Sequence, residues 1–226
     1  MQLSFEIPST PATRIEVAID RCIVAGWAGR DLAAIEHHID ELAAVGVPRP
    51  SAVPLYYRVG ADRLTQADRI DVVGDGSSGE AEAFVFSHEA IAFVSVASDH
   101  TDRRLETHSV ALSKQACPKP VARSAWPYGE VADHWDELVL RAWIDEDGRR
   151  VLYQEGALAS LRPPLELVEG HFGRDRIPEG AAMLCGTVAA RGGIRPAPSF
   201  EMELFDPVRD RRIHHRYSVR TLPEVA

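Results

Sequence analysis

The stretch Gly79-Glu80-Ala81-Glu82-Ala83-Phe84-Val85-Phe86, followed after a further apolar segment by Ser98-Asp99-His100-Thr101-Asp102-Arg103, decides how the rest of this 226-residue chain is read. Taken as a strand, its first part has a period of two. Glu80 and Glu82 then project from one face, Phe84 and Phe86 continue that face, and Ala81, Ala83 and Val85 take the other. Acids leading into an aromatic row are an odd pattern for a solvated face, because carboxylates are seldom buried unless paired or bound to a metal. Two readings stand. Either this is an edge strand with two solvated glutamates, or several carboxylates converge on one point and suit a hard divalent cation such as Mg2+ or Mn2+.

Composition narrows the class. Hydrophobic residues make up 45% and charged residues 26%, the balance of an ordinary globular protein. A formal net charge of -9, with no basic patch interleaved with aromatics, favours neither nucleic acid nor an anionic membrane surface. Cys22, Cys117 and Cys185 lie far apart without C-x-x-C spacing, which argues for reduced thiols in a cytoplasm and against a disulfide framework or zinc knuckle. The N-terminus lacks the charged and apolar regions of a signal peptide, and no run approaches the ~18 apolar residues of a membrane helix. The expectation is a soluble cytoplasmic protein.

Outward from the acid strand, residues 14–25 alternate as one half-buried strand, with Ile15, Val17 and Ile19 on one face. Asp31 reads as the N-cap of a helix whose seam is Leu32, Ile35, Ile39 and Leu42, ended by Gly46 and Pro48. A short strand is expected at 55–59 and a connection from 64 to 79. The apolar run 90–98 reads as a strand covered on both sides. Residues 108–122, crossed by prolines, read as irregular. A hairpin is expected from 137 to 154 around Glu146-Asp147-Gly148, a short helix near Pro163-Pro164, a strand with glycine turns on each side within 170–196 that ends at Leu184-Cys185-Gly186-Thr187, and a final meander.

Several side chains compete for a chemical role. His38 lies at the edge of the helix seam with Glu41 three residues on; the pair is either a poised general base or a solvated flank. Lys114 and Lys119 either stabilise a developing oxyanion or lie on the surface. Gly186 and Thr187 close an apolar strand, where amide and hydroxyl donors could bind a carboxylate or simply form a turn. Glu201 and Glu203 form a second E-x-E, but alternation turns Phe200, Met202 and Leu204 inward and leaves these acids solvated. His171, His214 and His215 read as surface residues. There is no G-x-S-x-G, no G-x-G-x-x-G and no Walker loop, which removes common hydrolase, dinucleotide and nucleotide readings.

In order, His38-Ile39-Asp40-Glu41, Glu80-Ala81-Glu82, the Ser98–Arg103 segment, Lys114, and Glu179 through Gly186-Thr187 resemble the fumarylacetoacetate hydrolase superfamily across roughly residues 35 to 220. SDHTDR, HSVALSKQ and the CGT–GGI segment are also similar to an uncharacterised bacterial family of unknown function. The resemblance implies an α+β, mostly β fold, a mixed β-sandwich roll with few helices. It would form a single domain, 1–226, with about 1–60 as a strand-helix segment packed on a 61–226 β-roll core, usually dimeric. It implies Mg2+ or Mn2+ on Glu80, Glu82 and Asp99, and a small carboxylate substrate, a 2-oxo acid or acylpyruvate, chelating the ion. His38 and Glu41 would activate water, and Lys114 would stabilise the enolate or oxyanion. Gly186 and Thr187 would bind the substrate carboxylate, with His100 and Arg103 also at the substrate.

Ser98 stands where the superfamily has Asn, and His100 and Asp102 replace small or apolar residues, so either could join or replace a ligand. The implied activity is metal-dependent C–C hydrolysis. Decarboxylase, hydratase or isomerase chemistry would use the same site. A non-catalytic β-roll that binds a small acid is the alternative from a different class, and it expects Glu80 and Glu82 in solvent.

Overall fold

Residues 1–8, 12–44 and 49–225 are described by a computed structural model of the chain, apart from the side chains at 38, 41, 42 and 44. The strands and helices run β1 (Gln2–Ile7), β2 (Thr13–Ala18), β3 (Arg21–Gly26), α1 (Leu32–Ala44), β4 (Leu55–Val59), β5 (Leu64–Thr65), β6 (Arg69–Val73), β7 (Ser77–Ser78), β8 (Ala81–His88) and β9 (Ile91–Ser98). They continue through β10 (Thr101–Asp102), α2 (Arg103–Glu106), α3 (Val110–Ala116), β11 (Lys119–Pro120), β12 (Trp126–Pro127), β13 (Val139–Glu146), β14 (Arg149–Ala157), α4 (Pro164–Phe172), β15 (Ala181–Thr187), β16 (Ser199–Asp206) and β17 (Arg211–Leu222).

Two mixed sheets carry the fold: a six-stranded sheet in the order β12-β9-β8-β15-β3-β4 and a five-stranded sheet in the order β14-β13-β16-β17-β6. The apolar runs β8, β9 and β15 lie inside the six-stranded sheet and are covered on both faces, as such runs require. One face packs Ala83, Val85 and Val96 against Leu140, Met202 and Leu204 of the other sheet. The opposite face packs Phe84, Phe86 and Leu184 against Leu3, Phe5 and Val17 of the β1–β2 hairpin. Phe5 stacks on Phe86 with ring centroids 4.3 Å apart.

The β8–β9 hairpin determines where the acids go. Its turn is Glu89-Ala90, both at positive φ (51° and 66°), the geometry of a two-residue type I′ connection. Such a turn fixes the register, pairing Ala81 with Ser98 and Glu82 with Ala97. The ladder extends one step further, since the Asp99 amide donates to the Glu80 carbonyl at 2.9 Å. Glu80, Glu82 and Asp99 therefore share one face at the open end of the hairpin.

The structure corrects several expectations. Residues 14–25 form two strands broken at Ile19-Asp20. The 64–79 connection holds β5, β6 and β7, with Ile70 and Val72 buried by strict alternation in β6. Residues 108–122 contain a helix, because the Ser109 side chain caps α3 by accepting the Leu112 amide at 3.3 Å and the prolines follow only after it. His215 is buried rather than exposed. Glu203 is also buried, held 3.1 Å from Arg141. Asp31 caps α1 as expected, accepting the Ala33 and Ala34 amides, each at 3.0 Å. The expected stop at Gly46 and Pro48 lies outside the described residues. Among the described residues, no helix is long and apolar enough to cross a membrane.

Candidate metal centre

Glu80, Glu82 and Asp99 each present a carboxylate oxygen, and the three oxygens lie within 4.8 Å of one another. Metal–oxygen bonds of ~2.0–2.6 Å place oxygens on opposite sides of one cation roughly 4–5 Å apart, so the spacing fits a shared divalent ion. Glu82 and Asp99 are buried and Glu80 is partly so, which removes the solvated-strand reading.

Two strand features aim these acids. A register shift between Leu184 and Thr187 of β15 forms a bulge opposite Glu82, with Gly186 at φ +90°. The Gly186 amide leaves the ladder and donates to Glu82 Oε2 at 2.7 Å. A Cβ on Gly186 would lie 2.7 Å from Ala28 Cβ, so glycine is required by space as well as by backbone conformation. Gln154, fully buried, locks the same corner. Its Oε1 accepts the Ala81 amide at 3.0 Å, and its Nε2 donates to Thr187 Oγ1 at 2.7 Å and to the Val188 carbonyl at 2.6 Å. Thr187 in turn donates its hydroxyl to the Ala81 carbonyl at 2.7 Å. Gly186 and Thr187 thus hold the acid strand with the groups that were expected on a substrate carboxylate.

Lys114, on α3, pairs with Asp99 Oδ2 inside the protein, and its Nζ lies 5.6 Å from the centre of the Tyr57 ring. Burial opposes its charge, but Asp99 and Glu80 more than offset this and raise its pKa, so Lys114 is a fixed ammonium. Lys119 Nζ lies 3.3 Å from Asp99 Oδ1 and is fully buried. Burial alone would raise the Asp99 carboxyl. Lys114 and Lys119, aided by Arg103, overcome it and bring the carboxyl down to about 2. Glu82 moves the opposite way. Burial first, then the neighbouring Asp99 and Glu80 charges, push its carboxyl well above the usual range. A divalent cation among the three acids would offset both the burial and the mutual repulsion of their charges.

The remaining candidates separate by face. Arg103, at the start of α2, donates through Nε to Ser78 Oγ at 2.7 Å and through Nη1 to Glu106 at 3.0 Å, and its Nη2 lies 3.3 Å from Glu80 Oε1. It therefore braces Glu80. His100 follows Asp99 and points to the other side of the sheet, where its ring nitrogens meet Tyr217 Oη at 3.0 Å and Ser77 Oγ at 2.9 Å. Burial, followed by Lys119 and Arg103, pulls its pKa down to about 3, so it is a neutral buried ring with both nitrogens engaged. Asp102 caps α2 by accepting the Arg104 and Leu105 amides, each at 3.0 Å, and is not turned toward the triad. Glu203 lies between Arg141 and Arg212 on the other sheet. The side chains of His38 and Glu41 lie outside the described residues.

Sequence reasoning missed Gln154 and the role of Lys119. Lys119 did carry a signal, a lysine between two prolines, but nothing local shows that it is buried.

Residues 25–217 match the model of a family described as "Protein of unknown function (DUF2848)". The chain belongs to the DUF2848 family. No curated protein matches this DUF2848 chain. Its fold is shared with solved structures. One is 2-keto-3-deoxy-D-arabinonate dehydratase complexed with magnesium and 2,5-dioxopentanoate: 16% identity, 91% of this chain and 74% of that chain covered, TM-score 0.63. A second is 4-oxalocrotonate decarboxylase from Pseudomonas putida G7 complexed with magnesium and adipate: 17% identity, 91% and 78% covered, TM-score 0.53. A third is Cg1458 with inhibitor: 14% identity, 95% and 82% covered, TM-score 0.67. At these identities the likeness shows the fold alone, which is mostly β, as the resemblance implied.

Proposed function

We propose that this protein is a divalent-metal-dependent enzyme acting on a 2-oxo acid, with Glu80, Glu82 and Asp99 holding Mg2+ or Mn2+. The observation that carries this reading is the convergence of three carboxylate oxygens within 4.8 Å, two of the acids being buried. The non-catalytic reading expected these acids in solvent, and Glu82 is only 3% exposed. The magnesium and small carboxylates named with the dehydratase and decarboxylase structures support the same class of ion and ligand.

When bound, the cation supplies Lewis acidity toward the ketone and carboxylate oxygens of a 2-oxo acid. The chain's own residues do the rest. Lys114 keeps its proton, so it acts as an electrophile and not as a base. Its ammonium stabilises negative charge developing on the former ketone oxygen, more in the transition state than in the ground state. Arg103 holds Glu80 in place and adds positive charge at the same rim. The Gly186 amide and Gln154 hold Glu82 and the end of β8 still. C–C hydrolysis of an acylpyruvate needs in addition a base for water, the role proposed for His38 with Glu41. Decarboxylation would use the electrophilic half of the site and then a proton for the enolate carbon, whereas dehydration would need in addition a base for the C3 proton and an acid for the departing hydroxide. The homodimer and the cytoplasmic setting belong to the same proposal.

The test is a panel of oxaloacetate, acylpyruvates and 2-hydroxydienoates, assayed with and without Mg2+. Turnover of one class, lost on chelation and in Glu82→Gln, is the expected result. No turnover across the panel, together with Mn2+ binding unchanged in Glu82→Gln, overturns the proposal.

A further inference from the structure

Lys119 has no part in the reading so far beyond its charge near Asp99, yet it is one of the largest fully buried side chains in the protein. Its Nζ donates to the main-chain carbonyls of His100 at 2.5 Å, Cys117 at 3.2 Å and Lys114. Asp99 Oδ1 lies 3.3 Å away as a fourth oxygen. Three carbonyls match the three N–H groups of an ammonium, and a neutral amine could serve only two of them.

The local sequence explains why a side chain is needed here. Pro118 and Pro120 flank Lys119 and have no amide proton, so the main chain of this turn is short of donors. Orphaned buried carbonyls are costly, and the lysine satisfies three at once. Those carbonyls belong to segments that must keep station with each other. His100 follows Asp99 directly, while Lys114 and Cys117 end the helix that carries the Lys114 ammonium. The other side of Lys119 is fixed by β11, which pairs in parallel with β5 through Lys119 and Leu64.

We propose that Lys119 is a positioning residue of the metal centre, an internal ammonium filling a cage of main-chain carbonyls in the manner of a bound monovalent cation, which sets Asp99 and Lys114 at their working separation. This rests on the metal reading of Glu80, Glu82 and Asp99. Lys119 itself is sealed from solvent and sits behind Asp99, so it acts through Asp99 and Lys114 rather than on the substrate.

The test uses Mn2+ alone as the probe, titrated by calorimetry into the wild type, Lys119→Met, Lys119→Ala and Glu82→Gln. Lys119→Met is expected to bind Mn2+ at least tenfold more weakly than the wild type. Methylammonium or K+ at tens of millimolar is expected to recover much of the affinity of Lys119→Ala, since a small cation refits the cage. A purely space-filling role would not respond to added cation. Should the variants fail to fold, side-chain 15N lysine spectra of the wild type decide. They are expected to show one ammonium protected from solvent exchange and coupled to main-chain carbonyls, unmoved by Mg2+ while the Lys114 signal shifts. Equal Mn2+ affinity in the wild type and Lys119→Met, or the lack of a protected ammonium, overturns this proposal alone. A wild type that takes up no Mn2+ overturns the metal reading beneath it.

Discussion

Gly186 and Glu82 meet across the bulge in β15, where the glycine amide donates to the glutamate Oε2 at 2.7 Å. That contact exists because the ladder slips between Leu184 and Thr187 and because Gly186 adopts φ +90°. A strand that stayed in register would spend this amide on its neighbour's backbone, and Glu82 would be buried with no donor.

Gly186→Ala therefore meets two penalties, an unfavourable backbone conformation and a methyl driven against Ala28. The expected cost is about 2–4 kcal/mol in urea denaturation. Mn2+ affinity should fall as well, because relaxing the bulge withdraws the amide from Glu82. Unchanged stability would mean that the bulge is not built as described.

Glu82→Gln separates charge from shape. Burial and then the Asp99 charge push the Glu82 carboxyl well above its ordinary range, so an amide of the same shape removes a charge that its surroundings disfavour. The melting temperature without metal should stay level or rise slightly. The increase produced by Mn2+ in the wild type should vanish, which differential scanning fluorimetry with and without Mn2+ reads directly.

The turn of the β8–β9 hairpin offers a gain. Ala90 sits at φ +66° and is held there partly by its amide, which donates to Glu179 Oε1 at 2.8 Å. Ala90→Gly keeps that hydrogen bond and relieves the left-handed strain. We expect it to stabilise the protein by ~0.5–1 kcal/mol, measured by the midpoint of urea unfolding.

Asp206 links acid pH to stability. Its carboxylate is sealed from solvent and accepts from His134 Nε2 and Arg211 Nε, each at 3.0 Å, and from the Val208 amide at 3.1 Å. Burial works against the charge, but the Arg211 and His134 hydrogen bonds outweigh it and hold the carboxyl below its ordinary range. A carboxyl depressed in the fold adds stability above its unfolded pKa and loses it as pH falls through the folded value, because the unfolded chain then binds more protons. Asp206→Asn should cost about 1–3 kcal/mol at pH 7. The gap to wild type should narrow below about pH 4, near the ordinary aspartate pKa. Parallel stability curves from pH 7 to pH 3 would refute this account.

What could be read from the chain alone was local. Alternation marked the acid strand and its aromatic continuation, the apolar runs marked strands covered on both faces, and Asp31 marked the start of α1. Asp147-Gly148 marked the turn between β13 and β14, where both residues have positive φ. Each of these follows from neighbours within a few residues. Readings of element boundaries failed at 14–25, 64–79 and 108–122, and others failed over burial. His215 looked like a surface residue and is buried. Lys119 read as either an oxyanion stabiliser or a surface lysine, and its partners are main-chain carbonyls gathered from two different segments.

By itself, then, the sequence determined the inventory: three acids in two short motifs, a lysine after them, and a glycine-threonine strand end that could meet them. Tertiary structure decided which of these groups act together. Asp99 joins Glu80 and Glu82 because a two-residue turn sets the hairpin register and puts all three on one face. Asp102 is spent on a helix cap, Glu203 on two arginines, and His100 on Tyr217 and Ser77 across the opposite face. Asp99 and Asp102 have the same side chain, so no residue type could distinguish them. The direction in which the backbone turns each one, and what it meets there, makes the difference.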